Sequence, residues 1–137
     1  VIDNPFAEGP DPIVVLPALK PDIAVFHARW ADRQGNIWVG RRRELMTMAH
    51  AAKRSFVTVE AIFDGDLLAE DELAAGTIAG LYVDAIALAP RGAWPMGLAD
   101  LYAPDAAHLA AYARQARSDA GFRAYLAEQN LVPVDAV

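Results

Sequence analysis

The sequence predicts an open α/β domain in which helices flank a mostly parallel sheet. Ile23 to Phe26 form a continuous apolar run, which is typical of a strand covered on both faces. Residues 44–53 then repeat apolar side chains at the spacing of one helix face, namely Leu45, Met48, Ala49 and Ala52. Residues 55–59 supply another apolar strand directly after that helix. A helix between two strands on short connections indicates the βαβ unit of a parallel sheet.

The other strands of this domain are placed by short apolar runs between turn residues. Residues 1–12 contain three prolines and a glycine, so an extended connector is expected there. Strands are predicted over residues 13–16, 23–27, 37–39 and 82–89. Gly35 and Asn36 both tolerate positive φ and are expected to form the tight turn before the third strand. The sheet domain is therefore expected over residues 13–103.

The end of the chain carries a helical pattern. Asp105 is a suitable N-cap, and an apolar stripe follows it at Leu109, Tyr112, Ala113 and Ala116. Ser118 and Gly121 interrupt this pattern before a second, shorter stripe. Residues 104–137 are thus expected to form two helices, joined by a kink, that pack on one sheet face.

Composition limits the functions that this chain can serve. Its 137 residues carry a net charge of -6 and a sequence pI of about 4.9, whereas nucleic-acid binding requires a basic face. No apolar run approaches the roughly 20 residues that span a bilayer, and the first residues lack the charged-then-apolar pattern of a signal peptide. The chain has no cysteine, which excludes disulfides and thiolate metal sites within it. We expect a cytoplasmic protein that binds neither nucleic acid nor membrane.

Polar residues follow the predicted strand 23–27 and form the first candidate site. Ligands of open α/β sheets bind beyond the carboxyl ends of the strands, so His27 and Arg29 are candidates for a substrate pocket. A carboxylate such as Asp32 would orient the His27 imidazole for proton transfer or raise its pKa. Alternatively, His27 bonds to the backbone and only shapes the turn. Asp32 and Asn36 are expected to fold that turn by accepting backbone N–H bonds.

Two further candidates come from the next elements of the chain. Glu60 follows the strand 55–59, so the same argument about strand ends applies to it. Gly40 and the arginines Arg41, Arg42 and Arg43 precede the predicted helix, where cations oppose the positive end of the helix dipole. An anion such as a phosphate or a carboxylate would resolve this conflict. Alternatively, these arginines are solvated or pair with acidic residues of another protein chain.

Metal binding is not expected from this sequence. Residues 64–72 are acidic and predict a loop with a short helix, but they lack the ligand spacing of a calcium loop. His50 and His108 lie on separate predicted helices without zinc-ligand spacing. No cofactor is expected to be bound permanently.

Several segments together resemble a known enzyme family. The first has the pattern P-D-x-A-x-x-H-A-x-x-A-D-x-x-G-N from Pro21 to Asn36. Later parts are Val57 to Glu60, Tyr82 to Ala85, the pattern P-x-G-A-x-P from Pro90 to Pro95, and the residues Tyr102, Asp105, His108, Leu109 and Tyr112. In this order and spacing they are similar to the C-terminal half of the alpha subunit of family I CoA-transferases, the glutaconate CoA-transferase type.

The resemblance implies a fold, a reaction and partners for this chain. It implies an α/β subunit that moves CoA from an acyl-CoA to a carboxylic acid through a glutamate nucleophile. That glutamate is expected on a beta subunit, so Glu60 is not the implied nucleophile and no catalytic residue is expected within this chain. The resemblance also implies a missing N-terminal half of the alpha subunit and no activity for this chain alone.

Two alternatives remain open from the sequence. One is an acyl-CoA hydrolase of the same fold, in which water replaces the acid acceptor. The other is a non-catalytic binding or structural module, because a fold does not fix a function.

Overall fold

The computed structural model describes residues 1–129 and residue 131 and consists of a five-stranded mixed sheet with flanking helices. The strands are β1 (Ile2–Asp3), β2 (Pro12–Ile13), β3 (Ile23–Ala31), β4 (Ile37–Trp38), β5 (Arg54–Ile62), β6 (Thr77–Ile78) and β7 (Ala85–Leu88). The helices are α1 (Arg43–Ala51), α2 (Asp71–Ala74), α3 (Ala106–Gln115) and α4 (Asp119–Glu128). The large sheet has the order β6-β4-β3-β5-β7, while β1 and β2 form a separate pair.

The sheet topology confirms the predicted α/β class. β5 pairs in parallel with β3 and with β7, whereas β4 is antiparallel to both β3 and β6. The βαβ unit differs from the prediction in one respect. The strand before α1 in the chain is β4, but β5 pairs with β3 and not with β4. β4 is a short return strand, so the crossover runs from β3 to β5. This register places His27 beside Thr58.

The two central strands are longer than predicted. β3 continues to Ala31 and β5 continues to Ile62, so both His27 and Glu60 lie within strands rather than at their ends. Polar side chains at alternate positions of β3 obscured this continuation, since a strand with one open face tolerates them. The expected burial of β3 on both faces is also wrong. Ala24 and Phe26 are buried, whereas Ile23 and Val25 on the other face are 56% and 68% exposed.

The covered face of the sheet packs against α1. Its core contains residues from β3, β4, β5, β6 and α1, including Phe26, Ile37, Ala49, Val57 and Ile78. Ala49 lies on the helix stripe that the sequence predicted, and Leu45 and Met48 of the same stripe pack against this core. Helix amphipathicity therefore fixes which sheet face is covered, and the polar side chains of His27, Thr58 and Glu60 lie on the other face.

Several predicted strands have different bounds. The strand predicted over 13–16 is wrong, because pairing ends at Ile13 and Val14 and Val15 are exposed. The strand predicted over 82–89 is shorter, since a 3₁₀ turn occupies Gly80–Tyr82 and β7 begins at Ala85. β4 ends at Trp38. β6 was not predicted, because its two residues carry no periodicity.

Helices α3 and α4 make their main contact with each other. Asp105 caps α3 as predicted by accepting a bond from the His108 backbone N–H, and Ser118 caps α4. The rings of Tyr112 and Tyr125 meet edge to face, with centroids 5.0 Å apart. Residue 130 and residues 132–137 of the predicted helical segment lie outside the described residues, and the division at residues 12 and 103 stays a prediction. No helix of the described part is long and apolar enough to cross a membrane.

Candidate active site

A cavity of about 510 Å³ lies beside β3, between the residues that precede α1 and residues 98–100. It is lined by His27, Ala28, Arg29, Trp38, Val39, Gly40, Arg41, Arg42, Leu45, Leu98, Ala99 and Asp100. Five of the residues that the sequence singled out, His27, Arg29, Gly40, Arg41 and Arg42, therefore line one cavity. Asp32, Asn36, Arg43 and Glu60 do not line it.

Arg29 brings a guanidinium group to the wall of this cavity. Its guanidinium carbon lies 4.2 Å from the ring centroid of Trp30 and 6.0 Å from that of Trp38. Its Nε atom is buried and donates to no acceptor among the described residues. A buried atom cannot bond to a ligand in the cavity, so it is the positive charge of the guanidinium group that favours an oxyanion here.

The arginine run lies at the start of α1, as predicted. Arg43 is the first helical residue, and Arg42 occupies the N-cap position without a side-chain capping bond. Gly40 has a φ of +62° and its backbone touches Gly76 so closely that a side chain on Gly76 would lie 2.9 Å from it. This close backbone contact places the next two residues, Arg41 and Arg42, in the cavity wall. Both are exposed, so they stay available to an anion.

A second cluster surrounds the carboxylate of Glu60, next to the cavity. Its Oε1 accepts a short bond from the Tyr102 hydroxyl and lies 2.8 Å from Nε2 of His27. Its Oε2 accepts the backbone N–H of Arg91 at 2.7 Å. Three donors from three parts of the chain thus converge on one carboxylate. Sequence reasoning identified Glu60 and His27 but missed the contacts of Tyr102 and Arg91.

His27 does not pair with Asp32, which corrects the sequence hypothesis. Nδ1 of His27 lies 2.8 Å from the Thr58 hydroxyl, and Nε2 meets Glu60, so both ring nitrogens are engaged. The hypothesis failed because β3 continues through Ala31 and carries Asp32 well away from His27 along the strand. The true partner is carried by β5, the neighbouring parallel strand.

Asp32 instead closes the turn after β3. It is 3% exposed, and its carboxylate accepts bonds from the backbone N–H groups of Gln34, Asn36 and Leu67 and from the side chain of Asn36. Asn36 in turn accepts the Gly80 N–H through Oδ1. The turn-forming role predicted for both residues fits these bonds, whereas neither side chain reaches the cavity.

The electrostatics of the Glu60 cluster favour an ionised carboxylate. Burial raises the pKa of Glu60, but the bonds from Tyr102, Arg91 and His27 outweigh burial and bring it below its ordinary value. Burial and the adjacent carboxylate together raise the pKa of the Tyr102 hydroxyl. The hydroxyl therefore keeps its proton and donates a hydrogen bond to Glu60.

Sequence and structure comparisons identify relatives of this chain. It is 35% identical over 129 residues to the A subunit of glutaconate CoA-transferase from Acidaminococcus fermentans, covering 93% of the chain and 39% of that protein. It is 45% identical over 56 residues to the A subunit of 3-oxoadipate CoA-transferase from Pseudomonas knackmussii, covering 38% of the chain and 19% of that protein. No protein-family model matches. The chain thus spans less than half the length of these relatives.

Solved structures agree with the sequence relatives. The crystal structure of glutaconate coenzyme A-transferase from Acidaminococcus fermentans matches with a TM-score of 0.83 at 32% identity, covering 95% of this chain and 41% of that one. The decarboxylase AibA/AibB matches with a TM-score of 0.75 at 34% identity, covering 94% and 45%. The chain is homologous to the A subunits of glutaconate CoA-transferase and 3-oxoadipate CoA-transferase.

Proposed function

We propose that this chain forms one wall of the active site of a CoA-transferase, which moves CoA between an acyl-CoA and a carboxylic acid. The cavity that joins Arg29, Arg41 and Arg42 beside β3 is the observation that carries this proposal. Acyl-CoA and carboxylic acids both present oxyanions, and guanidinium groups bind carboxylate and phosphate in fork geometry. Apolar neighbours such as Trp38 and Leu98 suit the acyl chain.

The nucleophile is proposed to come from a partner beta subunit. Glu60 is the glutamate that the sequence singled out beside this cavity, but both of its oxygens accept hydrogen bonds from the chain itself. Those three bonds lower its reactivity towards an acyl carbon, because they stabilise the negative charge of the carboxylate. Glu60 also lies outside the cavity wall. A carboxylate supplied from another subunit leaves the cluster intact.

The proposed reaction exchanges thioesters at that external glutamate. Its carboxylate attacks the acyl carbonyl, which forms an anhydride and releases CoA as thiolate. The thiolate then attacks the glutamyl carbonyl, which forms a glutamyl-CoA thioester and releases the first acid. The acceptor acid reverses both steps and leaves as the new acyl-CoA. Arg29, Arg41 and Arg42 would hold the carboxylates and phosphates that carry charge during these steps.

The exposed surface supports a partner subunit. Several large apolar side chains are exposed, for example Phe6 at 94%, Leu19 at 87% and Leu16 at 80%. Association that covers such side chains is favourable, because apolar area is removed from water.

Reconstitution tests this proposal. The protein, copurified with the product of a neighbouring gene, is incubated with acyl-CoA and a carboxylic acid, and new acyl-CoA is measured by chromatography. Arg29→Gln should lower the transfer rate at least about tenfold, because a charge-assisted bond is lost. Arg33→Gln is the matched control, since Arg33 is exposed outside the cavity. Transfer that is unchanged in Arg29→Gln would contradict the assigned site.

Decarboxylation is the second candidate, since the decarboxylase AibA/AibB matches this chain at 34% identity. The same reconstituted protein distinguishes the outcomes. Release of carbon dioxide from a carboxylated acyl-CoA, without transfer to an added acid, would favour a decarboxylase. Release of free CoA without an acceptor would instead indicate the hydrolase.

A further inference from the structure

We infer that Glu60 and Tyr102 are positioning residues that hold one wall of the cavity in place and thereby set which acyl groups fit. The wall belongs to the loop of residues 91–102, named the wall loop below. Its residues Leu98, Ala99 and Asp100 line the cavity together with the sheet residues His27 and Arg29. The loop follows β7 and returns to the strand that carries Glu60.

The Glu60 carboxylate accepts hydrogen bonds from both ends of the wall loop. Arg91 at its start donates its backbone N–H to Oε2, and Tyr102 at its end donates its hydroxyl to Oε1. The Tyr102 hydroxyl oxygen also accepts the Ala93 N–H at 3.1 Å, so the two ends are bonded to each other as well. One carboxylate on a central strand therefore links the start and the end of the wall loop to β5.

The wall residues are attached to Tyr102 directly. The backbone N–H of Leu98 donates to the Tyr102 carbonyl at 3.1 Å, and the Tyr102 N–H donates to the Leu98 carbonyl at 3.1 Å. Gly97 and Asp100 have φ values of +84° and +65°, so the chain reverses tightly around these bonds. Leu98 is 7% exposed, whereas Ala99 and Asp100 at the tip are exposed. A displacement of Tyr102 must therefore move the cavity wall.

This positioning role predicts an effect on selectivity rather than on chemistry. Glu60 does not line the cavity, and the fixed wall determines how far the cavity extends from the sheet. A pocket of fixed depth discriminates against extra methylene groups, roughly tenfold or more for each one. A loosened wall loses this discrimination. The selectivity part of the inference rests on the proposed function, whereas the mobility of the wall loop does not.

Two variants test the wall loop in the purified protein. Glu60→Gln places an amide N–H₂ where donors converge, and Tyr102→Phe removes one hydroxyl and preserves the ring. Amide exchange measured by mass spectrometry should accelerate at least about fivefold over residues 91–102 in each variant and stay unchanged in β3 and β5. Glu72→Gln and Tyr112→Phe are the matched controls, since neither residue belongs to the cluster around Glu60. If residues 91–102 exchanged at the wild-type rate in both test variants, the inference would be overturned.

Acyl-CoA binding tests the selectivity. Titration calorimetry of the protein copurified with the product of the neighbouring gene, with acetyl-CoA and hexanoyl-CoA as ligands, should show that Tyr102→Phe shifts the affinity ratio at least about fivefold towards the longer acyl group. An unchanged ratio with accelerated exchange would overturn the selectivity role. If Glu60→Gln unfolded the protein, amide exchange would rise throughout the sheet. The result for Tyr102→Phe alone would then test the wall loop. A wild type that binds no acyl-CoA would contradict the proposed function, while the exchange rates would still decide whether the two residues position the wall loop.

Discussion

His27 and Glu60 are joined across the two central parallel strands, with Nε2 of the imidazole 2.8 Å from Oε1 of the carboxylate. The opposite ring nitrogen, Nδ1, lies 2.8 Å from the Thr58 hydroxyl. Both side chains of the His27–Glu60 pair are almost buried, at 12% and 11% exposure. His27 therefore orients Glu60 from the sheet and has no free nitrogen for substrate protons.

Removal of the imidazole should weaken the cluster. His27→Ala leaves Glu60 with two donors and Thr58 without its partner, so we expect the free energy of unfolding to fall by about 1–3 kcal/mol. Urea unfolding followed by circular dichroism measures this change. Arg33→Ala is the control, because Arg33 is exposed. A loss in His27→Ala no larger than in this control would contradict the stabilising role of the His27 bonds.

The wall loop should be released in acid. The folded protein lowers the pKa of Glu60 below the ordinary value of 4.5, so the unfolded chain binds more protons between the two values. The stabilisation is complete above 4.5 and is lost as the pH falls through the folded pKa. Exchange over residues 91–102, corrected for intrinsic rates, should stay constant down to about pH 5 and then rise. Glu60→Gln should show a smaller rise, because only the Asp105 carboxylate, which has a lowered pKa and bonds to Trp94 of the loop, remains to be protonated. An identical pH profile in wild type and variant would contradict the assignment.

The turn after β3 should depend on Asp32. Asp32→Ala leaves the backbone N–H groups of Gln34, Asn36 and Leu67 without their acceptor in a buried site, which should cost about 3 kcal/mol or more. Thermal unfolding measures the loss. Asp64→Ala is the control, since Asp64 is exposed. A melting temperature that is the same in both variants would contradict the structural role of the Asp32 carboxylate.

Gly92 should not tolerate a side chain. A Cβ atom there would lie 2.7 Å from Cε1 of His27 and 2.8 Å from the Ala89 carbonyl oxygen. Gly92→Ala should therefore displace His27 and accelerate exchange in the wall loop, whereas Gly9→Ala has open space around it and should change nothing. Crystal structures of both variants would show the displacement. An unmoved His27 in Gly92→Ala would contradict the close approach.

Local patterns in the sequence predicted the parts of the fold that depend on local physics. The stripe containing Ala49 predicted α1, and Asp32 with Asn36 predicted the turn, because helix periodicity and side-chain turn bonds involve neighbouring residues. The α/β class followed from the alternation of these elements. The bounds of β3 were less accurate, because strands with one open face carry polar residues at alternate positions.

Local sequence patterns could not predict the cluster around Glu60. Tyr102 and Glu60 are separated by 42 positions and meet only because the wall loop returns to β5. Tyr102 also has no local signal, since an isolated tyrosine between apolar residues is usual in any fold. The pairing of His27 with Glu60 was accessible in principle, because parallel register places residues of β3 beside β5 once both strands have their full length.

The location of bound acyl-CoA tests the central claim most directly. A crystal structure of the protein assembled with its partner and acyl-CoA should place the thioester in the cavity between Arg29 and Leu98, with an oxyanion of the ligand bonded to at least one of Arg29, Arg41 and Arg42. A ligand bound on another surface, with this cavity filled by partner side chains, would contradict the account.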